Sequence, residues 1–250
     1  MSKKAEIRQS DIYSQILSNG EVKVVDLAKL YHVSMETIRT DLSTMENQGL
    51  IKKIHGGATL KESYSEVSVE YKMTENASDK QLIAKKALEY IQDGSTIFLD
   101  PGSTTLALAK YLPLKKDLLV ITNSLKIAQL VAETNHDLIF LGGKMLKKAK
   151  ATTGSFTNNH LDSLHIDTCF MGCDGFMNMD GPTTFAFEEM EVKQHALRNS
   201  TKKYLLADTS KFHKTGTYKF ANFSDFDCIF TTFLNNYERR MVEDVQKIVM

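Results

Sequence analysis

Apolar and polar positions follow two different patterns along this chain, and the change between them divides it into two parts. In the first part, apolar residues recur at helical spacing in short segments, whereas from Ser78 onward short apolar runs alternate with amphipathic segments. Residues 59–77 lie between these parts, are polar and show no sustained period. We therefore predict one domain at residues 1–58, a linker at 59–77 and a second domain at 78–250.

The second part predicts an open, mostly parallel α/β sheet. Ser78 to Gln81 fits a capping box at the start of a helix, and Gly94 stands where the helix would end. Helix-like segments at 125–133 and around 186–199 alternate with short apolar runs, so we expect helices on both faces of the sheet. The runs that suit buried parallel strands are residues 96–100, 118–122, 137–141, 167–171, 204–207 and 228–232.

Small, hydroxylated or charged residues follow five of these strands. Because ligands of doubly wound sheets bind beyond the carboxyl ends of the strands, these residues predict one polar pocket. Any single turn of this kind is also explained as an ordinary turn, so the prediction depends on the five together. The five segments are DPGSTT at 100–105, TNS at 122–124, GGK at 142–144, GCDG at 172–175 and DTSK at 208–211.

A phosphate is the ligand group that this pocket favours. The segment 102–105 opens a helix, so it offers unpaired backbone N–H groups, hydroxyl donors and the positive end of the helix dipole. Three lysines could add positive charge and three aspartates could accept sugar hydroxyls: Lys144, Lys193, Lys211, Asp100, Asp174 and Asp208. Glu189 lies four residues before Lys193, a spacing that fits either a site pair or a surface salt bridge.

The first sixty residues begin with two helical segments. Ile12 and Ile16 indicate a first helix that Gly20 would end, and Val25 with Leu27 indicates a short second helix. The basic residues of this part gather near the N-terminus, where Arg8 lies, and in the segment around residue 53. Eight Lys and Arg oppose seven Asp and Glu in residues 1–60, and this net charge of +1 is modest for a nucleic-acid module.

A third helix is the element that we expect to enter the major groove of DNA. Ile38, Leu42 and Met45 recur at helical spacing as its buried side, Ser34 is a suitable N-cap, and Gly49 would end it. Residues 50–57 then indicate a β-hairpin, so the pattern is a helix-turn-helix with a wing that touches phosphates. A helical module that docks protein is the alternative. The opposite side of the helix carries Met35, Arg39, Thr40 and Ser43.

Composition argues against a membrane or secreted protein. Lys and Arg number 31, as do Asp and Glu, so no overall field attracts the chain to polyanions. No apolar run approaches the roughly 18 residues of a membrane span, and three cysteines do not suit a disulfide scaffold. We therefore expect a cytoplasmic protein. Cys169 and Cys173 could form a metal or redox switch, but buried thiols explain them better, and we predict no metal and no cofactor.

The chain resembles the DeoR/GlpR family of bacterial transcriptional regulators over nearly its whole length. Two positions depart from the family pattern, because Thr40 stands where a second arginine is usual and Pro101 stands where serine is more frequent. The motifs that carry the resemblance are residues 25–42, IHGGA at 54–58, LDPGSTT at 99–105, TNS at 122–124, LGG at 141–143, EMEVK at 189–193 and LADTSKF at 206–212.

The resemblance implies a winged helix-turn-helix followed by a mostly parallel α/β sensor domain similar to ribose-5-phosphate isomerase. It also implies contacts to operator DNA and to a phosphorylated sugar. The DNA contacts would be Ser34, Thr37, Arg39, Thr40, Lys53 and His55. The effector contacts would be Asp100, Gly102, Ser103, Thr104, Thr105, Asn123, Gly143, Asp174, Lys193, Asp208 and Lys211.

We therefore expect a DNA-binding repressor of genes for sugar uptake or catabolism, a homo-oligomer (dimer or tetramer) whose DNA affinity is controlled by the sugar phosphate. The effector must bind the two states of the protein differently if it is to switch them. The alternative is an active sugar-phosphate isomerase or deaminase with a DNA-binding appendage. That chemistry would need a carboxylate base beside the sugar carbon.

Overall fold

The computed structural model describes residues 3–19, 21–48, 50–60 and 69–250. The chain divides into a first unit, Met1–Glu75, and a second unit, Asn76–Met250. Of the linker predicted at 59–77, residues 61–68 lie outside the described residues, as do Gly20 and Gly49, the predicted ends of two helices. Among the described helices, none combines the length and the apolar composition that a membrane crossing requires.

The first unit has the winged helix-turn-helix that the sequence predicts. It adds one strand to the prediction, because the wing is a three-stranded antiparallel sheet in the order β1-β3-β2. Strand β1 has only three residues, too few for its alternation to stand out in the sequence. The elements are α1 Lys3–Asn19, β1 Glu21–Lys23, α2 Val24–Leu30, α3 Met35–Asn47, β2 Ile51–Ile54, β3 Gly57–Leu60 and α4 Val69–Thr74.

The core of the first unit confirms the helical spacing of the third helix. Ile38, Leu42 and Met45 of α3 are buried together with Ile12 of α1. The short second helix is formed as predicted, but Val25 is 48% exposed. The preceding residue, Val24, is buried in its place, because it shares a helix face with Leu27 three residues later.

The second unit contains every strand that the sequence predicts, and several short elements besides. The additional elements are β7, β8, α8, β10, β12, α10 and β14, and the strands among them carry too few residues for a clear period. The elements are α5 Ala77–Leu88, β4 Thr96–Leu99, α6 Ser103–Ala109, β5 Leu119–Thr122, α7 Leu125–Val131, β6 Asp137–Phe140, β7 Lys144–Leu146, β8 Ala151–Thr153, α8 Ser155–Asp162, β9 Ile166–Met171, β10 Thr183–Thr184, α9 Phe187–Arg198, β11 Ser200–Leu206, β12 Tyr218–Lys219, β13 Cys228–Phe230, α10 Asn236–Met241 and β14 Ile248–Val249.

Seven of these strands form one sheet in the order β14-β13-β11-β9-β4-β5-β6. All of its described pairings are parallel, which confirms the predicted α/β class. Successive residues of a strand point to opposite faces. On one face, Cys169 packs in the cluster that contains Val192 of α9. On the other face, the Phe170 ring contacts the Tyr204 ring, and Tyr204 contacts Tyr90, which follows α5. Helices thus cover both faces, as predicted.

The capping box at Ser78 is not formed. Helix α5 begins at Ala77, and its N-cap is Asn76, a left-handed residue (φ 51°) whose side chain does not cap the helix. The predicted C-terminal end of this helix, at Gly94, also lies too far along the chain. The helix ends at Leu88, and Gly94 (φ 77°) lies in the turn before β4 instead. A capping pattern in sequence marks a helix start only where tertiary contacts do not shift the boundary.

Candidate functional site

The candidate DNA-reading surface consists of the exposed side of α3 and the β2–β3 turn. Ser34 caps α3, because its Oγ accepts a hydrogen bond from the Thr37 backbone N–H at 3.1 Å. The two hydroxyls lie 2.9 Å apart, so Ser34 and Thr37 are also bound to each other. Both side chains therefore have a structural role at the start of the helix. Arg39 and Thr40 lie further along, on the exposed side of α3.

Arg39 is held only loosely on this surface. Its Nη1 lies 3.3 Å from Glu36 Oε2, and the two side chains are 57% and 78% exposed. An exposed ion pair of this kind contributes about 0–1 kcal/mol, so it leaves Arg39 able to turn toward another anion. The Thr40 hydroxyl donates to the Glu36 carbonyl at 3.0 Å within the helix. Arg39 is therefore the better placed of the two for a contact outside the protein.

The wing is joined to α3 through Lys53. Its backbone N–H donates to Glu46 Oε1 at 2.8 Å, and its Nζ donates to Ser43 Oγ at 3.0 Å. The side chain of His55 is exposed in the turn between β2 and β3. The close approach of the strands requires glycine at position 57, since a Cβ there would lie 2.0 Å from the Val22 carbonyl oxygen. The wing thus has a fixed position relative to the helix.

Arg8 does not belong to a free basic patch at the N-terminus. Its Nε donates to Asp41 Oδ2 at 2.6 Å, while the Gln9 side-chain amide donates to Asp41 Oδ1 at 2.8 Å. Asp41 itself is buried. Of the basic residues near the N-terminus, Arg8 therefore has its charge compensated by an aspartate of α3.

At the carboxyl edge of the seven-stranded sheet, Asp100 and Lys193 form a buried ion pair. Lys193 Nζ donates to Asp100 Oδ2 at 2.5 Å and to the Gly172 carbonyl at 3.0 Å. The Gly172 N–H donates back to the same carboxylate oxygen at 3.0 Å. Burial lowers the pKa of Lys193, but the Asp100 and Glu189 carboxylates outweigh it, so the pKa stays above its ordinary value. Lys193 is therefore protonated.

A second group of acids lies beside Lys193. Asp174 Oδ2 accepts hydrogen bonds from the Phe185 N–H at 3.1 Å and from the Thr184 hydroxyl at 3.2 Å. The same hydroxyl lies 2.6 Å from Glu189 Oε2. Glu189 thus shares a hydrogen-bond partner with Asp174, and its carboxylate favours the charged form of Lys193.

The segment before α6 is shaped by Thr105. Its hydroxyl lies 2.5 Å from the Asp100 carbonyl and 2.9 Å from the Gly102 carbonyl, so it is used within the turn. Ser103 begins the helix and Thr104 is buried next to it. The backbone N–H groups of a first helical turn have no partner within the helix, so these three residues present donors at the sheet edge.

Asn123 and Gly143 lie at the ends of β5 and β6. The Asn123 amide donates to the Thr152 carbonyl at 2.7 Å, and its buried Oδ1 has no hydrogen-bond partner among the described residues. A Cβ on Gly143 (φ 153°) would lie 2.3 Å from Thr157 Oγ1 and 2.5 Å from the Thr153 carbonyl. Gly143 is thus required for close packing, whereas Asn123 has a free acceptor.

Asp208 and Lys211 follow β11. Asp208 is fully buried and Lys211 is 6% exposed. The Lys211 ammonium has no hydrogen bond and no ion pair within 4.0 Å to any residue that the structure describes, although Asp208 and Lys211 attract each other electrostatically. Lys144, in contrast, is 73% exposed in its side chain and lies 3.7 Å from Glu188, so it does not enter the buried part of the site.

The three cysteines are free thiols. Burial raises the pKa of both Cys169 and Cys173 to about 12 and that of Cys228 to about 11, so the thiolates that bind metal or attack disulfides are disfavoured. Within residues 3–19, 21–48, 50–60 and 69–250, no group of three or more His, Cys, Asp or Glu could hold a metal ion.

Comparison with known proteins identifies both units. Residues 8–64 match the DeoR-like helix-turn-helix domain and residues 75–232 match the DeoR C terminal sensor domain. The chain is 33% identical over 246 residues to the HTH-type transcriptional regulator FruR of Bacillus subtilis, which covers 96% of this chain and 98% of FruR. It is 32% identical over 248 residues to the lactose phosphotransferase system repressor of Staphylococcus epidermidis, covering 97% and 98% of the two chains.

A solved structure resembles part of the chain. Ribose 5-phosphate isomerase A of Methanocaldococcus jannaschii aligns with a TM-score of 0.38 and 20% sequence identity. The alignment covers 54% of each chain, so it is a partial similarity of fold.

Proposed function

Because this chain belongs to the DeoR family of helix-turn-helix transcriptional regulators, we propose that it represses genes for sugar uptake or catabolism and releases its operator when a phosphorylated sugar binds. The site for that sugar is the carboxyl edge of the seven-stranded sheet. Relatives that match over nearly the full length are regulators, which decides against the alternative of an active isomerase or deaminase. One of them is named as a repressor of a lactose phosphotransferase system, which supports repression of sugar genes here.

The observation on which the effector proposal depends is the burial of the Lys211 side chain. Its ammonium is nearly buried and has no hydrogen-bond acceptor among the residues that the structure describes, a state that costs free energy and favours an anion as partner. The first turn of α6, with Ser103, Thr104 and Thr105, adds backbone donors at the same edge of the sheet. Lysine and backbone N–H groups together are the usual partners of a phosphate.

Acceptors for sugar hydroxyls complete the proposed site. Asn123 Oδ1 and Asp208 Oδ2 are both buried without a hydrogen-bond donor among the residues described. The Asp100–Lys193 pair is already satisfied by Gly172, and it contributes mainly by fixing the strand ends around the ligand. Asp174 and Glu189 lie beside Lys193 as further acceptors. Asp100, Gly102 and Gly143 shape the backbone of the site.

We propose that the DNA contacts are made by α3 and the wing of two copies of the chain in a homo-oligomer. Arg39 and Thr40 would face the base edges, Ser34 and Thr37 would hold the start of the helix near a phosphate, and Lys53 with His55 would contact the backbone from the wing. An oligomer is expected because paired reading heads match the two half-sites of an operator.

Two measurements on the full chain test this proposal. A panel of sugar phosphates is screened by thermal shift, where a ligand at 100 times its dissociation constant stabilises by about 2.7 kcal/mol. The binding of the hit to the chain is then compared with its effect on DNA affinity. A sugar phosphate that binds tightly but leaves DNA affinity unchanged would refute the switching mechanism.

A further inference from the structure

Strand β6, Asp137–Phe140, forms one edge of the seven-stranded sheet. It is the last strand in the sheet order, so β5 is its one neighbour among the strands that the structure describes. The N–H groups of Asp137 and Leu141 donate to carbonyl oxygens in and just before β5 at 3.0 and 2.9 Å. Because backbone groups of successive strand residues alternate in direction, those of Leu138 and Phe140 point away from β5. The outer side of β6 is therefore open for backbone pairing.

This open edge carries apolar side chains on both faces of the sheet. Ile139 packs against the cluster that contains Val192 of α9, so Leu138 and Phe140 lie on the opposite face. Phe140 is 39% exposed, whereas Leu138 and Ile139 are half-buried. Helix α7 packs against β6 and adds Leu130, which is 36% exposed. Apolar side chains beside open backbone groups favour another strand as partner, because pairing removes both from water.

The two edges of the sheet differ in how they are protected from pairing. Native edge strands are commonly kept apart by lysine, by proline, by a bulge or by a very short length. Strand β14, at the other edge, has only two residues, Ile248–Val249. Strand β6 has four residues, and its sequence DLIF contains neither lysine nor proline. The edge formed by β6 is therefore the one at which this sheet can continue.

The charges around β6 indicate which strand continues the sheet. Exposed acids stand before or at the start of the strand and exposed lysines follow its end: Glu133, Asp137, Lys144, Lys147 and Lys148. An antiparallel neighbour with this same sequence places its basic end beside the acidic end of β6. A parallel neighbour with this sequence would place like charges side by side. The edge is thus complementary in charge to an antiparallel copy of itself.

We propose that β6 pairs antiparallel with β6 of a second copy of this chain, so that the seven-stranded sheets of both copies form one continuous sheet. A two-fold axis passes beside Ile139, and Leu138 of one copy lies opposite Phe140 of the other. These outward-facing residues exchange backbone hydrogen bonds across the axis. The same surface serves both copies, so the assembly closes at a dimer and does not grow into a fibre.

Helix α7 extends this interface beyond the strands. Specific interfaces bury roughly 1,200–2,000 Å² of total surface, which is more than a pair of short strands provides. Leu130 of α7 supplies further apolar surface next to the strand pair. This inference rests on the proposed function in one respect, since it assigns the surface of the homo-oligomer that paired reading heads require. It does not depend on a sugar phosphate, so the two can be tested separately.

Sedimentation velocity of the full chain tests the pairing, with and without a DNA duplex that the wild-type chain selects from random sequence. The main variant is Phe140→Pro, which removes an outward N–H and an apolar side chain but no hydrogen bond to β5. Ile248→Pro is the matched control at the other edge. There the Lys247 and Val249 carbonyls accept hydrogen bonds from the β13 side, so the Ile248 N–H points outward. Asp137→Lys tests the charges and leaves the backbone of β6 intact.

We expect the wild type to sediment as a dimer, with twice the chain mass of 28.2 kDa, or as a tetramer built from that dimer. Phe140→Pro should raise the dissociation constant of the β6 pairing by about 100-fold or more, because backbone bonds and apolar burial are lost in both copies. Ile248→Pro should keep the wild-type mass. Asp137→Lys should weaken the pairing by about 2- to 30-fold at low salt and by less at high salt, since it sets a lysine against the basic end of the other copy.

Circular dichroism and thermal melting establish which variants are folded. A folded Phe140→Pro chain that keeps the wild-type mass overturns the inference and leaves the proposed function standing. If Phe140→Pro does not fold, Asp137→Lys decides, and an unchanged dissociation constant overturns the inference. Loss of the dimer in Ile248→Pro alone assigns the interface to β14 and overturns it as well. A wild type that is monomeric with and without the duplex overturns both this inference and the homo-oligomer of the proposed function.

Discussion

At the scale of single residues, what a charged side chain can bind depends more on its burial and pairing than on the number of charges nearby. The net charge of residues 1–60 is small, and Arg8 is neutralised by the buried Asp41. Arg39, in contrast, keeps an exposed guanidinium on the reading side of α3. In the second unit, Lys193 and Lys211 are both buried, but only Lys193 has a carboxylate within hydrogen-bond distance among the residues described. Basic side chains thus occur in three arrangements: paired with a buried carboxylate, exposed, or buried without a hydrogen-bonded carboxylate among the described residues.

Arg39→Ala should weaken specific DNA binding by about 1–3 kcal/mol if the guanidinium contacts a base edge. The measurement is a fluorescence-anisotropy titration of the selected duplex and of a scrambled duplex. Glu36→Gln serves as the comparison, since it removes the negative charge that pairs with Arg39, and should leave binding equal or tighter. Equal losses on both duplexes would assign Arg39 to a phosphate contact, and no loss would remove it from the interface.

Lys193→Met should lower the free energy of unfolding by about 3–5 kcal/mol, because it leaves the buried Asp100 carboxylate without its counter-charge. Urea denaturation of the full chain measures this loss. Adding Asp100→Asn to the same chain should recover part of it, since an amide oxygen can still accept from the Gly172 N–H and carries no charge. A double variant that is no more stable than Lys193→Met would show that the charge is not the cause.

At the scale of elements, the connections between strands and helices fix the site more than the strands do. The β6–β7 turn brings Gly143 against Thr153 of β8 and Thr157 of α8, and α5 is held at its start by Asp208. The α3 helix is joined to the wing through Lys53. Each of these contacts links segments that are distant in sequence, so each fixes the position of a candidate binding residue.

Gly143→Ala should destabilise the second unit by more than about 1 kcal/mol, because the added Cβ would overlap Thr157 Oγ1 and the Thr153 carbonyl in a strained backbone conformation. The neighbouring Gly142→Ala is the matched control, since no atom lies within 4 Å of a Cβ built there. That variant should stay within about 0.5 kcal/mol of wild type. Similar unfolding midpoints for the two variants in urea would contradict the packing described here.

At the scale of the whole molecule, the proposed mechanism is a coupling between two units that each have their own core. The first unit holds α1 to α3 around Ile38 and Leu42, and the second holds the seven-stranded sheet. Asn76 is where the chain enters the second unit. A ligand at the sheet edge can change the DNA affinity only by as much as its own affinity differs between the two states of the protein.

This coupling must be reciprocal. If a sugar phosphate weakens DNA binding by a given factor, saturating the full chain with DNA must weaken binding of the sugar phosphate by the same factor. Isothermal titration calorimetry of the sugar phosphate, with and without the selected duplex, measures the second factor. Two factors that disagree beyond experimental error would show that the sugar phosphate and the DNA act on different forms of the protein, such as different oligomers.

Sequence patterns predicted the elements well where a pattern repeats within one element. The spacing of Ile38, Leu42 and Met45 identified α3, and the apolar runs identified the six longer strands of the parallel sheet. Strand β1 and the β7–β8 hairpin escaped prediction because each strand has three residues and none lies in a longer apolar run such as 228–232, which identified β13. The start of α5 was misplaced because Asn76 bonds to a residue 132 positions away.

By itself, then, the sequence determined the fold class, the winged helix-turn-helix and the set of polar residues at the strand ends, since these follow from local periodicity and from the rule that parallel strands end at one edge. Only the tertiary structure decided which of those polar groups are already satisfied. Lys193 is paired with Asp100, whereas Lys211 and one oxygen of Asp208 have no hydrogen-bond partner among the described residues. The physical reason is that burial and hydrogen bonding depend on neighbours brought together from distant parts of the chain.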